Sequence, residues 1–139
     1  MNPLDRFVAA QRGCYAQALA ELAAGNKRTH WIWFIFPQIA GLGQSATARH
    51  YALADLTEAR DYLAHPVLGD RLTECTEAML GWARWRGADA ILGTIDALKF
   101  RSSMTLFEAA SGGELFAVAL QAFYAGKRDE ETLRILGDG

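Results

Sequence analysis

The chain has 139 residues, 51% of them hydrophobic and 22% charged, and a formal net charge of −2. This length makes one domain, residues 1–139, whose accessible surface should shrink from about 22,000 to about 7,000 Å² on folding, enough for a core without metal or disulfide staples. The net charge divides as about +2 over residues 1–45, −1 over 46–86 and −3 over 87–139, so no basic face of the size duplex DNA demands is visible and nucleic-acid binding is disfavoured.

The longest apolar run, Trp31–Phe36, falls far short of a bilayer span, and there is no signal-peptide core. The expected location is the cytoplasm, with no membrane partner. The two cysteines, Cys14 and Cys75, lack C-x-x-C spacing and fall on apolar helical stripes. They read as reduced core residues, because free cysteine packs as a small hydrophobe.

In chain order, Asn2 can cap a first helix with Pro3 in its first turn. Leu4, Phe7, Val8, Tyr15, Leu19 and Leu22 follow as one apolar face, and Gly25-Asn26 ends the helix. Lys27, Arg28 and His30 lead into Trp31–Phe36, which is apolar on every side and must be covered by the rest of the chain. Periodicity alone leaves this stretch open between helix and strand. A lone strand would leave buried backbone groups unpaired, with Ile91–Ile95 the only candidate partner, so a short helix stopped before Pro37 is the preferred reading. Ser45 then caps a short helical piece over residues 46–53, and Asp55 caps another.

His65-Pro66 breaks the chain and Pro66 opens the clearest helix. Its stripe is Leu68, Leu72, Cys75, Met79 and Trp82, extended by Trp85, and both tryptophans are assigned to the core. Asp89 can cap a turn at residues 90–92, and Gly93 marks a bend. Residues 94–111 read as one helix, or as two with a second start at Ser102 or Ser103. A helix over Leu115–Tyr124 ends at Gly126, and Asp129 caps a last short one carrying Leu133, Ile135 and Leu136. The fold class is all-α, a compact single-domain bundle of about six to seven helices, several of them short.

Two segments carry the chemistry. Gly41-x-Gly43-x-x-Ala46 matches the dinucleotide-binding glycine pattern on paper, but no βαβ unit surrounds it. What survives is a loop open to close backbone approach, feeding a helix start at Ser45 whose free N–H groups suit an anion. Lys99, Arg101, Ser102 and Ser103 form the second segment, gathering cations and hydroxyls should a helix begin there. Trp31 and Trp33 are core residues or a wall for a planar ring. The two segments are expected to meet in one anion-accepting pocket beside these tryptophans. The histidines are too scattered for a metal site, so no metal and no cofactor is assigned.

One set of motifs resembles a known family. It comprises Trp31-x-Trp33-Phe34-Ile35-Phe36-Pro37-Gln38-x-x-Gly41-Leu42-Gly43-x-Ser45, Tyr51, and Tyr62-Leu63-x-His65-Pro66-x-Leu68-Gly69-x-Arg71-Leu72. Further on come Asp96-x-x-Lys99-x-x-Ser102-Ser103-Met104-Thr105-Leu106-Phe107 and Asp129-x-x-Thr132-Leu133. These resemble small, mainly helical bacterial proteins carried as a domain of unknown function, some labelled calpastatin. The resemblance covers nearly the whole chain and implies the helical fold. It implies no established activity, so no catalytic residue is carried over. The helix around Arg49-His50-Tyr51 is remotely similar to one in the YbiA-like superfamily, associated with NAD and ADP-ribose derivatives, although Arg49 stands where that superfamily has an acid.

The resulting expectation is a small-molecule-binding domain, open to enzymatic activity, for a phosphorylated, nucleotide-derived ligand. Gly41, Gly43 and Ser45 would hold phosphate, Lys99, Arg101, Ser102 and Ser103 would add charge and hydroxyls, and Trp31 or Trp33 would meet the ring. Asp96 is the candidate base. The alternative is a non-catalytic helical interaction module whose aromatic stretch is core or docking surface. No oligomeric state is assigned.

Overall fold

A computed structural model describes residues 2–138 of the chain. Among the described residues ten helices follow one another: α1 (Asp5–Arg12), α2 (Tyr15–Ala23), α3 (Ile32–Ile35), α4 (Ala46–His50), α5 (Leu56–Ala64), α6 (Leu68–Leu80), α7 (Ala88–Leu92), α8 (Thr94–Ser111), α9 (Glu114–Tyr124) and α10 (Glu130–Asp138). Among the described residues no strand forms. Extended pairing is confined to a parallel bridge between Ile39 and Leu53. The accessible surface is 7216 Å², close to the value that chain mass alone anticipates. Among the described residues no helix is long and apolar enough to cross a membrane.

The chain is organised around α8 rather than around the aromatic stretch. This helix buries Phe100, Ser102, Ser103, Met104, Thr105, Leu106 and Phe107, which together cover more than one full turn. A helix enclosed all round belongs in the centre of a bundle. It packs against α3, α5, α7, α9 and α10. The stretch before Pro37 is the short helix α3, as its backbone demands, and it delivers Phe36 onto Phe100 edge-to-face with ring centroids 4.7 Å apart.

The first helix is two helices. Gly13 interrupts it and Cys14 leaves helical geometry with φ −135°, because a glycine in a helix interior costs about 1 kcal/mol and tertiary packing can then break the rod. α2 turns away to pack on α6. The helix starts at Asp5, two residues later than the sequence suggests, with Leu4 at its N-cap; Asn2 stands ahead of it in a turn, its Oδ1 accepting the Leu4 N–H at 2.9 Å. Gly25 (φ +69°) closes α2, and a β-carbon there would sit 2.7 Å from the Trp82 ring, whose Nε1–H donates to the Leu22 carbonyl at 3.0 Å.

Trp82 is thus half-buried and lies beyond the end of α6, while Leu68, Leu72, Cys75 and Met79 are buried on it. Trp85 is 75% exposed, which overturns its assignment to the core. The helix stops at Leu80, so its stripe no longer continues to residue 85. The start of α6 is capped from outside the apolar pattern: His65 Nδ1 accepts N–H bonds from Val67 at 3.1 Å and Leu68 at 3.2 Å.

Candidate functional site

The site begins with a carboxylate that no motif singles out. Glu21 on α2 is 3% exposed and accepts five hydrogen bonds. Its donors are Gln17 Nε2 at 2.8 Å, the backbone N–H groups of Arg28 at 2.8 Å and Thr29 at 3.0 Å, the Thr29 hydroxyl at 2.7 Å and Trp31 Nε1 at 2.9 Å. Burial alone would raise this carboxyl, but the donors from Gln17, Arg28, Trp31 and Thr29 outweigh it and hold the pKa down at about 2. The ionised Glu21 therefore fixes residues 28–31 as a strap.

The strap stands against the start of α8. Lys27 donates its backbone N–H to the Ile91 carbonyl at 2.7 Å and places its ammonium 2.7 Å from Asp96 Oδ2, with the Trp31 ring centroid 5.2 Å away. Lys99, one turn further along α8, lies 3.6 Å from Asp96 Oδ1 and 5.1 Å from the Trp33 ring centroid. Between strap and helix is a cleft of about 540 Å³, lined by Lys27, Arg28, His30, Trp33, Leu92, Gly93, Thr94, Ile95, Asp96 and Lys99.

Gly93 (φ +88°) makes the sharp entry into α8, and a β-carbon there would meet nothing within 4 Å. It supplies no side-chain cap, so the first N–H groups of an 18-residue helix open into the cleft. Among the described residues no group of three or more His, Cys, Asp or Glu could hold a metal ion.

A match to the family described as "Protein of unknown function (DUF1810)" spans residues 1–136. The chain belongs to the DUF1810 family. Among solved structures, that of the conserved hypothetical protein Rv1873 from Mycobacterium tuberculosis, determined at 1.38 Å, is similar. The two are 44% identical, the alignment covers 96% of each chain, and the TM-score is 0.93. No curated protein matches.

In this DUF1810 chain the expected site residues part company. Trp33 and Lys99 line the cleft together. Trp31 does not. It is 1% exposed with its indole N–H spent on Glu21, because the ring is needed to fill the space beneath the strap. Asp96 lines the cleft as the counter-ion of Lys27 and Lys99. Gly41, Gly43, Ser45, Arg101, Ser102 and Ser103 are absent from the lining of this cleft, which is therefore not built from both segments.

The reasons are local. A β-carbon on Gly43 would fall 2.3 Å from Ala48 Cβ and one on Gly41 3.3 Å from Ile135 Cδ1. At Gly43 the protein's own chain fills the space a side chain would take, and at the exposed Gly41 Ile135 stands close by. Ser45 does cap α4, accepting the Ala48 N–H at 3.1 Å. Since α8 runs unbroken from Thr94, Ser102 and Ser103 sit inside it, not at a helix start. Arg101 donates to the carbonyls of Lys127 at 2.7 Å and Arg128 at 2.8 Å, and Ser102 donates to Asp129 Oδ2 at 2.8 Å. Those groups tie α8 to the turn before α10.

His50 and Tyr51 belong to a structural cluster. Arg6 Nε donates to the His50 carbonyl at 2.8 Å, and Tyr51 meets Phe34 with centroids 4.7 Å apart. Sequence reasoning overlooked Glu21, Lys27, Arg28 and Thr94 as parts of a site. A usable signal existed for the first: Glu21 is three residues from Ala18 and beside Leu22, on a face that is otherwise apolar.

Proposed function

We propose that this protein binds a phosphorylated, nucleotide-derived small molecule in the cleft between residues 27–33 and the start of α8. One observation carries the reading: Lys27, Arg28, His30 and Lys99 converge with the uncapped N-terminus of α8 on one concavity that has Trp33 as an aromatic wall. Lys27 answers Asp96, which leaves Arg28, exposed on the strap, and Lys99, held only loosely at 3.6 Å from Asp96, as the cations for an incoming anion. Phosphate at the start of α8 meets free N–H groups and the positive end of the helix dipole. Trp33 offers a planar face, on which a ring can stack beside the Lys99 ammonium. Asp96 serves here as an anchor for Lys27, and binding, not catalysis, is what these groups are arranged to do.

The test is thermal unfolding with adenosine 5′-monophosphate and with inorganic phosphate. Ligand should raise Tm by a free energy set by its concentration over Kd, and Lys99→Ala should remove that rise while the free protein stays folded. Absence of any rise over millimolar concentrations would end the reading.

A second reading rests on a different observation. Trp31, Ile32, Ile35 and Phe36 are buried in the core and offer no docking surface. Ile95 and Leu98, 70% and 58% exposed, stand three residues apart on α8 beside the cleft. A helical interaction module would use that face. Leu98→Ser, outside the cleft lining, would then weaken a complex while leaving nucleotide-induced Tm shifts intact.

A further inference from the structure

The cleft holds one carboxylate among its cations, and a carboxylate repels phosphate. Its presence is half explained by Lys27, whose side chain is 7% exposed and whose ammonium sits 2.7 Å from Oδ2. A cation so enclosed needs its counter-ion. The other oxygen is different. Oδ1 has Lys99 at 3.6 Å, beyond hydrogen-bond distance, and an ionised carboxylate oxygen is an acceptor only. An occupant that satisfies Oδ1 must bring hydrogen-bond donors. A cationic donor would be opposed by Lys27, Arg28 and Lys99. Neutral hydroxyl groups on an otherwise anionic molecule meet both conditions.

The order of groups along the cleft narrows the choice further. The free N–H groups at Thr94 and Ile95 begin α8, Asp96 comes next in the same turn, and Lys99 links the carboxylate to the Trp33 ring, 3.6 Å from one and 5.1 Å from the centroid of the other. Anion seat, hydroxyl acceptor and aromatic wall thus follow one another as phosphate, sugar and base do in a nucleotide.

We infer that Asp96 reads the ribose hydroxyls, so that the cleft selects ribonucleotides over 2′-deoxyribonucleotides. This rests on the proposed nucleotide-binding reading and adds the sugar to it. A carboxylate accepting from a ribose hydroxyl is a recurrent solution in dinucleotide-binding folds. Discrimination follows because an analogue lacking the hydroxyl leaves the acceptor desolvated and unpaired.

Isothermal titration calorimetry on the full chain separates the outcomes. Adenosine 5′-monophosphate should bind about tenfold more tightly than its 2′-deoxy counterpart, a ratio worth about 1.4 kcal/mol. Ribose 5-phosphate, lacking the base, should bind more weakly than the ribonucleotide. Asp96→Asn, which keeps the shape and removes the charge, should shrink the ribo-to-deoxy ratio to about threefold or less. Equal affinities for the two nucleotides on the unaltered protein would overturn the inference while leaving nucleotide binding in place. A full ratio retained by Asp96→Asn would also overturn it, by moving the selectivity elsewhere. No binding of any of the three ligands would remove the underlying reading as well. Should Asp96→Asn fail to fold because Lys27 loses its partner, the ratio on the unaltered protein still decides.

Discussion

Two glycine turns in this molecule look alike in sequence and differ in what surrounds them. Gly41-Leu42-Gly43 leads into α4 and Gly93 leads into α8, each with a glycine at positive φ, +105° at Gly41 and +88° at Gly93. At the first turn the absent side chains make room for the protein itself. Ala48 and Ile135 occupy the space, and the helix that follows has five residues. The nearby cleft of about 280 Å³, among Ile39, Leu56, Ile135 and Leu136, has no basic side chain in its lining. At the second turn the glycine is needed for its backbone angles alone. The space beside it is open, the helix has 18 residues, and Lys27, Arg28 and Lys99 stand around it. A glycine-rich turn is open to an incoming group only where nothing of the protein's own has claimed the approach.

The largest expected effect falls on the clamp that makes the second turn a cleft. Glu21→Ala removes the acceptor for five donors, including the buried Trp31 N–H. It should cost about 3–5 kcal/mol in urea unfolding. A loss under about 1 kcal/mol would mean the strap is held by other groups.

Acid should act through the same carboxylate. The folded pKa of Glu21 lies below its ordinary 4.5, at about 2. A depressed carboxyl stabilises the fold fully above its unfolded value, and that stabilisation is lost as pH falls from about 4.5 towards 2. The loss should amount to about 3 kcal/mol. Glu21→Gln should flatten the stability profile in this window. An unchanged slope in that variant would assign the acid sensitivity to other groups.

The contrast between the two turns can be sharpened by filling them. Gly43→Ala should cost about 1–3 kcal/mol through the clash with Ala48, and Ala48→Gly in the same chain should return part of it, giving a coupling of at least about 0.5 kcal/mol. Gly93→Ala should cost a similar 1–3 kcal/mol from its backbone angles, yet no neighbouring truncation should relieve it, since the added methyl meets nothing. Additive behaviour of the Gly43 and Ala48 changes would remove the distinction between the turns.

The smallest stability effect belongs to Lys99→Ala. The pair with Asp96 is three residues apart on one helix at 3.6 Å and a quarter exposed on the lysine side, so its loss should cost less than about 0.5 kcal/mol. A cost of several kcal/mol would make Lys99 a structural partner and leave Arg28 as the cleft's remaining accessible cation. Separately, burial pushes the Cys75 thiol up to about 12 and raises that of Cys14. Native thiol labelling should be slow, Cys75 slower than Cys14, and should quicken on unfolding.

Much of the architecture is legible in the chain because its determinants are local. The all-α class follows from apolar spacing, and the caps at Ser45, Asp55 and Asp129 are side chains within three residues of the N–H groups they satisfy. The helical state of Ile32–Ile35 follows from the need to pair buried backbone. Periodicity also places Leu68, Leu72, Cys75 and Met79 on one inward face. It misplaces Trp85, since a stripe says nothing once the helix carrying it has ended.

What only the tertiary structure decided is which distant groups share a space. Lys27 meets Asp96 because α2 closes at Gly25 and the strap folds over Glu21. Arg101 turns to the carbonyls of Lys127 and Arg128 because α10 docks on α8. In the sequence, Lys99 and Arg101 stand two positions apart and read as one cluster. On a helix, residues two apart point to different faces, so one reaches the cleft and the other ties down a turn.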